Sequence, residues 1–394
     1  MAVQGLLFDD MLEASAQKRA VTSVVPTEGI KYTGSKRQLL PFILNVINAL
    51  DVTTILDGFS GTTRVSQALS RSKYKVISSD IAVWSHVFGS CYLLNKQPKK
   101  YYQTYIEHLN NLPGVDGWFT QNYGGEPNGG SSVQGDGKKR IWQTHNTRKL
   151  DAIREEIDKV VANEVERAVL LTSLVLAMDR VDNTVGHHVS YLKQWAPRAY
   201  NTMCMEVPDF VPSEEQHQVI KGDIFDVLPE VKADLAYFDP PYGSCNEKMP
   251  PSRVRYASYY HLWTTVCLND RPTLVGAARR RQDTSDTVAG SIFEEFRKGH
   301  SGRFLAIETI ERLIQETQAR YILLSYNNQG RATKNELIKT IENLGFKYEV
   351  LEIDYRDNVM ATMRWTHDWT HKNRERITEY LILLSRTEEL PNLT

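Results

Sequence analysis

The sequence predicts an α/β fold in which buried parallel strands alternate with helices and a mostly helical region interrupts the alternation. Apolar runs end abruptly in an acidic residue at Asp57, Asp80 and Asp239, as buried parallel strands do where they reach a ligand crevice. Helical periodicity begins soon after the first of these runs. Between about residues 96 and 215 the periodicity changes, which indicates an insertion into the alternating pattern.

The composition is that of an ordinary globular chain of 394 residues, long enough for one large core and an inserted lobe. Lys and Arg number 47 against 48 for Asp and Glu, so any nucleic-acid contact must depend on local basic patches. No apolar run would span a bilayer, and a signal-peptide pattern is missing. The four cysteines lack paired spacing. We therefore expect a cytoplasmic protein with no metal site.

Residues 1–28 are expected to form an N-terminal extension, because no core periodicity follows their few apolar residues. Near the start of the next segment, residues 29–95, lies Lys31-Tyr32-Thr33-Gly34-Ser35-Lys36, followed by apolar residues at helical spacing. Gly34 and Ser35 suit a loop whose amides face an anion, and Lys36 adds a cation at the helix start. A capped surface helix is the alternative.

A strand, a turn of small residues and a helix follow between Thr53 and Leu69, and a second strand ends at Asp80. An acidic residue about 20 positions after such a turn is typical of nucleoside sites, where the carboxylate binds ribose hydroxyls. Thr63 occupies a position where a further glycine often lies. The pattern therefore favours an adenosine-containing ligand over a pyrophosphate cofactor.

The insertion at 96–215 starts with a segment, residues 113–140, whose composition is that of a mobile loop with the basic end Lys138-Lys139-Arg140. Two helices are predicted next, through Leu150 to Val161 and through Val165 to Met178. His187 and His188 lack an acidic or cysteine companion at ligand spacing, so we expect them to be structural.

Residues 216–394 resume the alternation, with one strand ending at Asp223 and the next at Asp239. Residues 244–302 are predicted to form a long basic loop that contacts nucleic acid, because arginines there accompany tyrosines. The sheet is completed by a helix at about 303–317, a strand at Tyr321 to Tyr326, a helix at about 333–344 and strands near Phe346 to Tyr355 and Tyr380 to Ser385.

Asp239-Pro240-Pro241-Tyr242 ends the apolar run Leu235 to Phe238. The prolines stiffen the backbone and remove two amide donors. A rigid carboxylate beside an aromatic ring suits a planar substrate that bears an amino group, such as a nucleobase. An ordinary turn at the end of a strand is the alternative.

Three boxes in this order, Lys-Tyr-x-Gly-Ser-Lys, Phe-x-Gly and Asp-Pro-Pro-Tyr, make the chain resemble the alpha group of DNA adenine methyltransferases, the Dam-like family, from residue 29 to 385. The resemblance implies a Rossmann-like class I methyltransferase with a mixed seven-stranded sheet, in which the insertion selects the DNA target. It also implies S-adenosylmethionine as the methyl donor, double-stranded DNA as the substrate and a prokaryotic or phage-type source.

Carried over by position, the resemblance implies that the catalytic residues are Asp239, Pro240 and Tyr242. Lys36 would lie near the cofactor's carboxylate, Asp80 at its ribose and Asp223 near its adenine. The implied cofactor-binding set is Tyr32, Lys36, Asp57, Phe59, Gly61, Asp80, Asp223 and Asp239. The expected DNA-binding residues, chosen from the two basic segments, are Lys138, Lys139, Arg140, Arg253, Arg255, Arg279, Arg280 and Arg281.

The resemblance leaves the context of the enzyme open. It would be a site-specific base-flipping methylase, either orphan or paired with a restriction endonuclease. The stretch Gln4 to Phe8 also resembles the peptide by which bacterial DNA-modifying proteins dock on the sliding clamp. Alternatives are a methyltransferase acting on cytosine amino groups, RNA or a protein amide, and a non-catalytic DNA-binding subunit.

Overall fold

The computed structural model describes residues 25–243, 245, 256–285, 289–355 and 377–386. Gln4 to Phe8, Arg253 and Arg255 lie outside this part of the chain, so the predictions made for them stay predictions. The strands of the main sheet are β1 (Thr54–Asp57), β2 (Lys75–Asp80), β3 (Gln218–Lys221), β4 (Leu235–Phe238), β5 (Tyr321–Asn327), β6 (Lys347–Tyr355) and β7 (Ile377–Ser385).

The main sheet has seven strands in the order β6-β7-β5-β4-β1-β2-β3. The five neighbouring strands β5, β4, β1, β2 and β3 pair in parallel. Strand β7 is antiparallel to both β5 and β6. The predicted mixed seven-stranded sheet is confirmed, and the carboxyl ends of its parallel strands meet at one edge.

Helices cover both faces of the sheet, because successive side chains of a strand point to opposite sides. Ile55 and Leu235 belong to one apolar cluster, whereas their neighbours Leu56 and Ala236 belong to another. Among the described helices outside the insertion are α1 (Leu40–Asn48), α2 (Arg64–Arg71), α3 (Val83–Gly89), α8 (Ile224–Val227), α11 (Leu305–Glu316) and α12 (Lys334–Asn343).

The insertion forms a lobe whose apolar residues share one cluster with Ile30 and with residues 84–92 in and after α3. Its helices are α4 (Lys99–Asn111), α5 (Trp118–Tyr123), α6 (Thr144–Val160) and α7 (Glu164–Arg180). The two helices predicted from apolar periodicity are confirmed as α6 and α7. Helix α7 begins after Asn163, whose side chain accepts hydrogen bonds from the amides of Val165 and Glu166, as a helix N-cap does.

The prediction of a long loop over 244–302 is wrong for its middle part. Helices α9 (Tyr256–Tyr259) and α10 (His261–Leu268) lie there, and residues 260–267 share the apolar cluster of the insertion. Buried Arg154 of α6 donates hydrogen bonds to the carbonyls of Val266 and Cys267. Residues 260–267 therefore pack with the insertion although they are distant from it in sequence. The predicted loop at 113–140 likewise contains α5.

None of the described helices combines the length and apolar character needed to cross a membrane. Within the described ranges, no three His, Cys, Asp or Glu side chains are grouped so that they could hold a metal ion.

Candidate active site

The turn after β1 is tied to the strands on both sides of it. The Gly58 amide donates to the Tyr237 carbonyl of β4 at 3.0 Å, and the Ser60 amide donates to the Ser79 carbonyl of β2 at 3.0 Å. A Cβ atom at Gly58 would lie 2.6 Å from the Phe238 ring, so only glycine fits without displacing that ring. The turn is thus held close to the sheet edge.

Thr63 takes a left-handed backbone conformation with φ of 60°, which favours glycine. Its amide donates to the Ser60 carbonyl at 2.6 Å, and its hydroxyl donates to the Thr62 carbonyl at 2.7 Å. The position where the sequence pattern expects glycine is therefore one where glycine would relieve strain. Local hydrogen bonds hold the threonine there instead.

Asp80 ends β2 with both carboxylate oxygens bonded to backbone amides. Gly61 donates to Oδ2 at 2.7 Å and Ala82 donates to Oδ1 at 2.8 Å. Burial raises the pKa of Asp80, while these two amides oppose the rise. The next residue, Ile81, is 70 % exposed although it is large and apolar. A fixed carboxylate beside an exposed apolar side chain can hold a ligand that has hydroxyl groups and a flat ring.

Asp57, the last residue of β1, has one satisfied carboxylate oxygen and one unsatisfied one. Ser66 donates its hydroxyl to Oδ2 at 2.6 Å. Oδ1 is buried with no hydrogen-bond donor among the described residues. Burial raises the pKa of Asp57 to about 7, Ser66 opposes the rise, and Asp239 and Asp80 add to it. A cationic donor would match this orphaned oxygen well.

Asp223 follows β3 and caps α8, where its side chain accepts a hydrogen bond from the Phe225 amide at 2.9 Å. The Gly222 amide donates to the Asp80 carbonyl at 3.1 Å, so the ends of β2 and β3 adjoin. The Phe225 ring stacks on Phe293. An aromatic pair thus lies beside Asp223 at the sheet edge.

Asp239 directly follows β4 and contacts two side chains, Tyr242 from the following turn and Lys36 from a distant part of the chain. The Tyr242 hydroxyl donates to Oδ1 at 2.5 Å. The Lys36 ammonium lies 3.1 Å from the same oxygen and donates to the Tyr242 hydroxyl at 2.8 Å. Burial raises the pKa of Asp239, while Lys36 and Tyr242 oppose the rise. The two sequence boxes, 206 residues apart, form one cluster.

Tyr32 links the turn after β1 to the lobe. A Cβ atom added to Gly61 would be 3.4 Å from the Tyr32 hydroxyl. Burial raises the pKa of Tyr32, and the neighbouring tyrosines, Asp80 and Asp239 raise it further. Tyr32 also stacks on Tyr260 of the lobe, with ring centroids 4.6 Å apart. Tyr32 therefore lies next to the glycine turn and is near enough to Asp80 and Asp239 for both carboxylates to raise its pKa.

The predicted DNA-binding residues have different surroundings. Lys138 and Lys139 are exposed, and the Lys139 ammonium donates to the Tyr191 carbonyl at 3.0 Å. Arg279 donates to Asn122 and forms an ion pair with Asp136 at 3.1 Å. Arg280 donates to the Ser258 hydroxyl at 3.2 Å.

Arg140 and Arg281 are buried, which the basic runs in the sequence did not indicate. Arg140 is paired with Asp136 at 2.9 Å. Arg281 lies between Asp270 and Asp283, each at 2.7 Å. Guanidinium groups that are already paired inside the lobe have little surface left for phosphate, so we remove both arginines from the expected DNA surface.

Sequence reasoning missed Glu379 of β7, whose Oε2 lies 3.6 Å from the Lys36 ammonium. It also missed exposed Ile81, and Tyr256, which stacks on Tyr32 with ring centroids 5.4 Å apart. Glu379 carried one signal: it is an acidic residue next to the otherwise apolar run Tyr380 to Leu384. Nothing local connects it to Lys36.

Comparison with known proteins places this site in a family. Modification methylase StsI of Streptococcus sanguinis is 26 % identical over 388 residues, which are 93 % of this chain and 53 % of that protein. Modification methylase LlaI of Lactococcus lactis subsp. lactis is 27 % identical over 322 residues, 78 % of this chain and 48 % of that protein. The chain thus spans about half the length of these two relatives.

Type II methyltransferase M.NlaIII of Neisseria lactamica is 25 % identical over 371 residues, which cover 91 % of this chain and 100 % of that protein. A family model described as D12 class N6 adenine-specific DNA methyltransferase matches residues 32–291. That range contains all of the three sequence boxes except Lys31, together with Asp57, Asp80 and Asp239 at the strand ends. The chain belongs to the D12 class N6 adenine-specific DNA methyltransferase family.

Proposed function

We propose that this chain transfers a methyl group from S-adenosylmethionine to the exocyclic 6-amino group of adenine at a specific site in double-stranded DNA. The observation that carries the proposal is the cluster of Asp239, Tyr242 and Lys36 at the same sheet edge as Asp57 and Asp80. One part of this edge suits a nucleoside ligand, and the other suits a flat, amino-bearing base.

The residues at the sheet edge fit S-adenosylmethionine. Asp57 offers a buried, unsatisfied oxygen to the ligand's ammonium group. Asp80 is fixed by the Gly61 and Ala82 amides, as a carboxylate that accepts hydrogen bonds from ribose hydroxyls should be. When bound, the ligand supplies an electrophilic methyl group on a sulfonium.

The remaining cofactor-binding residues keep the assignments that the family resemblance implies, with one change. Phe59 and Asp223 lie after the carboxyl ends of β1 and β3, Tyr32 lies next to Gly61, and exposed Ile81 adds an apolar surface for the adenine ring. Lys36 was expected near the cofactor's carboxylate. Its ammonium is paired with Asp239 and lies near Glu379, so we assign Lys36 to the target-base side.

On the base side, the chain's own groups capture and polarise adenine. The target base leaves the duplex and stacks on Tyr242, while Asp239 and the Pro240 carbonyl accept hydrogen bonds from its amino group. Two acceptors favour a tetrahedral amino nitrogen with a free lone pair. The nitrogen would form a bond to the methyl carbon as the bond from that carbon to sulfur breaks, which would leave a neutral thioether and a cationic nitrogen. Asp239 would stabilise this charge until the nitrogen loses a proton to water. The Tyr242 hydroxyl must leave Oδ1 of Asp239 to make room for the amino hydrogens.

DNA binding is assigned to the lobe side of the site. The cations retained for phosphate contact are Lys138, Lys139, Arg279 and Arg280, together with Arg253 and Arg255 from outside the described residues. Phosphate contacts position the duplex without selecting a sequence. Selection of the target sequence would fall to the surface of the lobe.

The names of the relatives support a role in restriction and modification, in which a cognate endonuclease would cut unmethylated DNA at the same site. Docking of Gln4 to Phe8 on a sliding clamp stays a prediction from the sequence alone.

Sequencing DNA from cells that express the chain, with detection of modified bases, tests the proposed function. The expected result is N6-methyladenine confined to one sequence motif, absent from cells that express the Asp239→Ala variant. Methylcytosine in a motif would support the alternative substrate. Unmodified DNA, with normal expression of folded protein, would contradict the proposal.

A further inference from the structure

Glu379 is a buried carboxylate inside the sheet next to the proposed base-binding cluster. It pairs across the sheet with Asn327 of β5 and Ile353 of β6 and is only 7 % exposed. The Asn327 amide donates to its Oε1 at 3.5 Å. Its Oε2 is buried and accepts no hydrogen bond from the described residues. A buried carboxylate costs stability unless it is paired. The cation nearest to Glu379 is therefore the group through which Glu379 can act.

That cation is Lys36, which lies between two carboxylates. Its ammonium is 3.1 Å from Asp239 and 3.6 Å from Glu379, and its side chain is 6 % exposed. Burial lowers the pKa of Lys36, but Asp239 and Glu379 raise it by more, so the amine stays charged. One buried cation thus has two possible partners, and the structure has it closer to Asp239.

The ion pair with Lys36 hinders Asp239 from accepting a hydrogen bond from the amino group of adenine, which is its proposed role. Oδ1 of Asp239 already accepts from Tyr242 and contacts Lys36, so the amino group of adenine would compete with both. A fixed cation beside Asp239 also opposes the positive charge that develops on the attacking nitrogen. Asp239 would act better once Lys36 has moved away from it.

We propose that Glu379 is a positioning residue that takes Lys36 from Asp239 when the target adenine enters, leaving Asp239 as a free carboxylate acceptor. The inference rests on the proposed function. It requires a movement of the ammonium group only, because both carboxylates are already within 4 Å of it. Glu379 itself touches no reacting atom.

The remaining groups that face Glu379 leave this assignment intact. Lys36 approaches from the segment before α1, and Asp239, Tyr237 and Tyr242 approach from β4 and the turn after it. The pKa of Tyr256 in α9 is raised mainly by burial and then by Asp239, and Glu379 adds a smaller rise. The tyrosines are neutral, so Lys36 is the cation that Glu379 can bind among the described residues.

The test compares Glu379→Gln and Glu379→Asp with Glu349→Gln. Glu349 lies on the neighbouring strand β6 and is 8 % exposed, similar to Glu379, but has no part in the proposed site. The substrate is an oligonucleotide that carries the motif found by sequencing. The measurements are the single-turnover rate at saturating DNA and S-adenosylmethionine from pH 5 to 9, the Kd for each ligand, and the Tm.

In Glu379→Gln, Lys36 would stay on Asp239. We expect the plateau rate to fall about 10- to 100-fold, the loss that follows when a group that orients a metal ligand is removed from a metalloenzyme. Both Kd values should stay within about twofold of the wild type. The acid limb of the rate profile should move to lower pH, because Lys36 held on Asp239 favours its ionised form. Glu379→Asp should recover part of the rate, and Glu349→Gln should react like the wild type.

A wild-type rate and pH profile in Glu379→Gln would overturn the inference. The inference would also be overturned if Glu379→Gln and Glu349→Gln lost the same amount of rate and the same amount of Tm. Both glutamates would then have only a structural role. Failure of the wild-type protein to methylate adenine is a separate result, which would overturn the proposed function and this inference with it.

Discussion

Asp80 and Asp239 both end parallel strands of one sheet, yet their carboxylates are held in different ways. Asp80 accepts hydrogen bonds from the backbone amides of Gly61 and Ala82. Asp239 is bonded by the side chains of Tyr242 and Lys36. Backbone donors are fixed by the fold, whereas a tyrosine and a lysine can change rotamer. The first carboxylate suits a ligand that always binds in one way, and the second suits a base that enters during each reaction.

The difference extends to the connections that each carboxylate makes. Asp80 is linked to the glycine turn 19 residues earlier in the chain. Asp239 is linked through Lys36 to Glu379 at the other end of the sequence. Substitutions on the Asp80 side should therefore change cofactor binding, and those on the Asp239 side should change turnover.

Asp239→Ala should give the largest effect, a loss of turnover of about 100- to 1,000-fold or more, because it removes the group that stabilises the developing charge. The Kd for S-adenosylmethionine should stay within about threefold of the wild type. Single-turnover kinetics and calorimetry measure the two quantities. Exposed Asp51, on the loop before β1, provides the control Asp51→Ala. Retained turnover in Asp239→Ala would remove Asp239 from the mechanism.

Asp80→Ala should produce the opposite pattern. We expect the Kd for S-adenosylmethionine to rise about 10- to 100-fold, the effect of losing hydrogen bonds to a charged group. At a cofactor concentration that saturates the variant, the turnover rate should recover to within about threefold of the wild type. Calorimetry gives the Kd. An unchanged Kd would show that the fixed carboxylate has no role in cofactor binding.

Two substitutions of Tyr242 distinguish the effect of base stacking from that of hydrogen bonding. Tyr242→Ala removes the ring, and base stacking worth about 1 to 3 kcal/mol predicts a rise of about 5- to 150-fold in KM for DNA. Tyr242→Phe keeps the ring but removes the hydroxyl that bonds Asp239 and Lys36. Its KM should stay near the wild-type value. Equal KM values for the alanine variant and the wild type would argue against stacking on this ring.

Cofactor affinity should depend on pH through Asp57, whose pKa is raised to about 7 mainly by burial. Below pH 7 its carboxyl group holds a proton that must leave before it can pair with the ligand's ammonium group. Affinity should therefore rise by up to about tenfold per pH unit below 7 and level off above it. Calorimetry between pH 6 and 8.5 measures this. The Asp57→Asn variant should flatten the profile; a wild-type slope in that variant would assign the dependence to another group.

The sequence predicted the parts of the site that depend on local pattern. Asp57, Asp80 and Asp239 were identified because each ends an apolar run, and the sheet then brings those ends to one edge. The two long helices of the lobe were predicted for the same reason, since their apolar periodicity is local. These features need no knowledge of distant contacts.

The remaining features depend on contacts between distant segments. Lys36 pairs with Asp239 and Glu379 only because the segment before α1 passes the ends of β4 and β7. Arg281 belongs to a basic run in the sequence, yet in the structure its charge is paired with those of two aspartates. Residues 260–267 join the lobe through packing that no local periodicity encodes.

A methyl-transfer assay with the purified protein shows whether this chain modifies adenine and whether Asp239 is required. Wild-type protein is incubated with unmethylated DNA and S-adenosylmethionine labelled in its methyl group, and the DNA is digested to nucleosides for mass spectrometry. We expect label on N6 of deoxyadenosine, and none when Asp239→Ala replaces the wild type. Label on deoxycytidine, or equal labelling of adenine by the wild type and the variant, would contradict it.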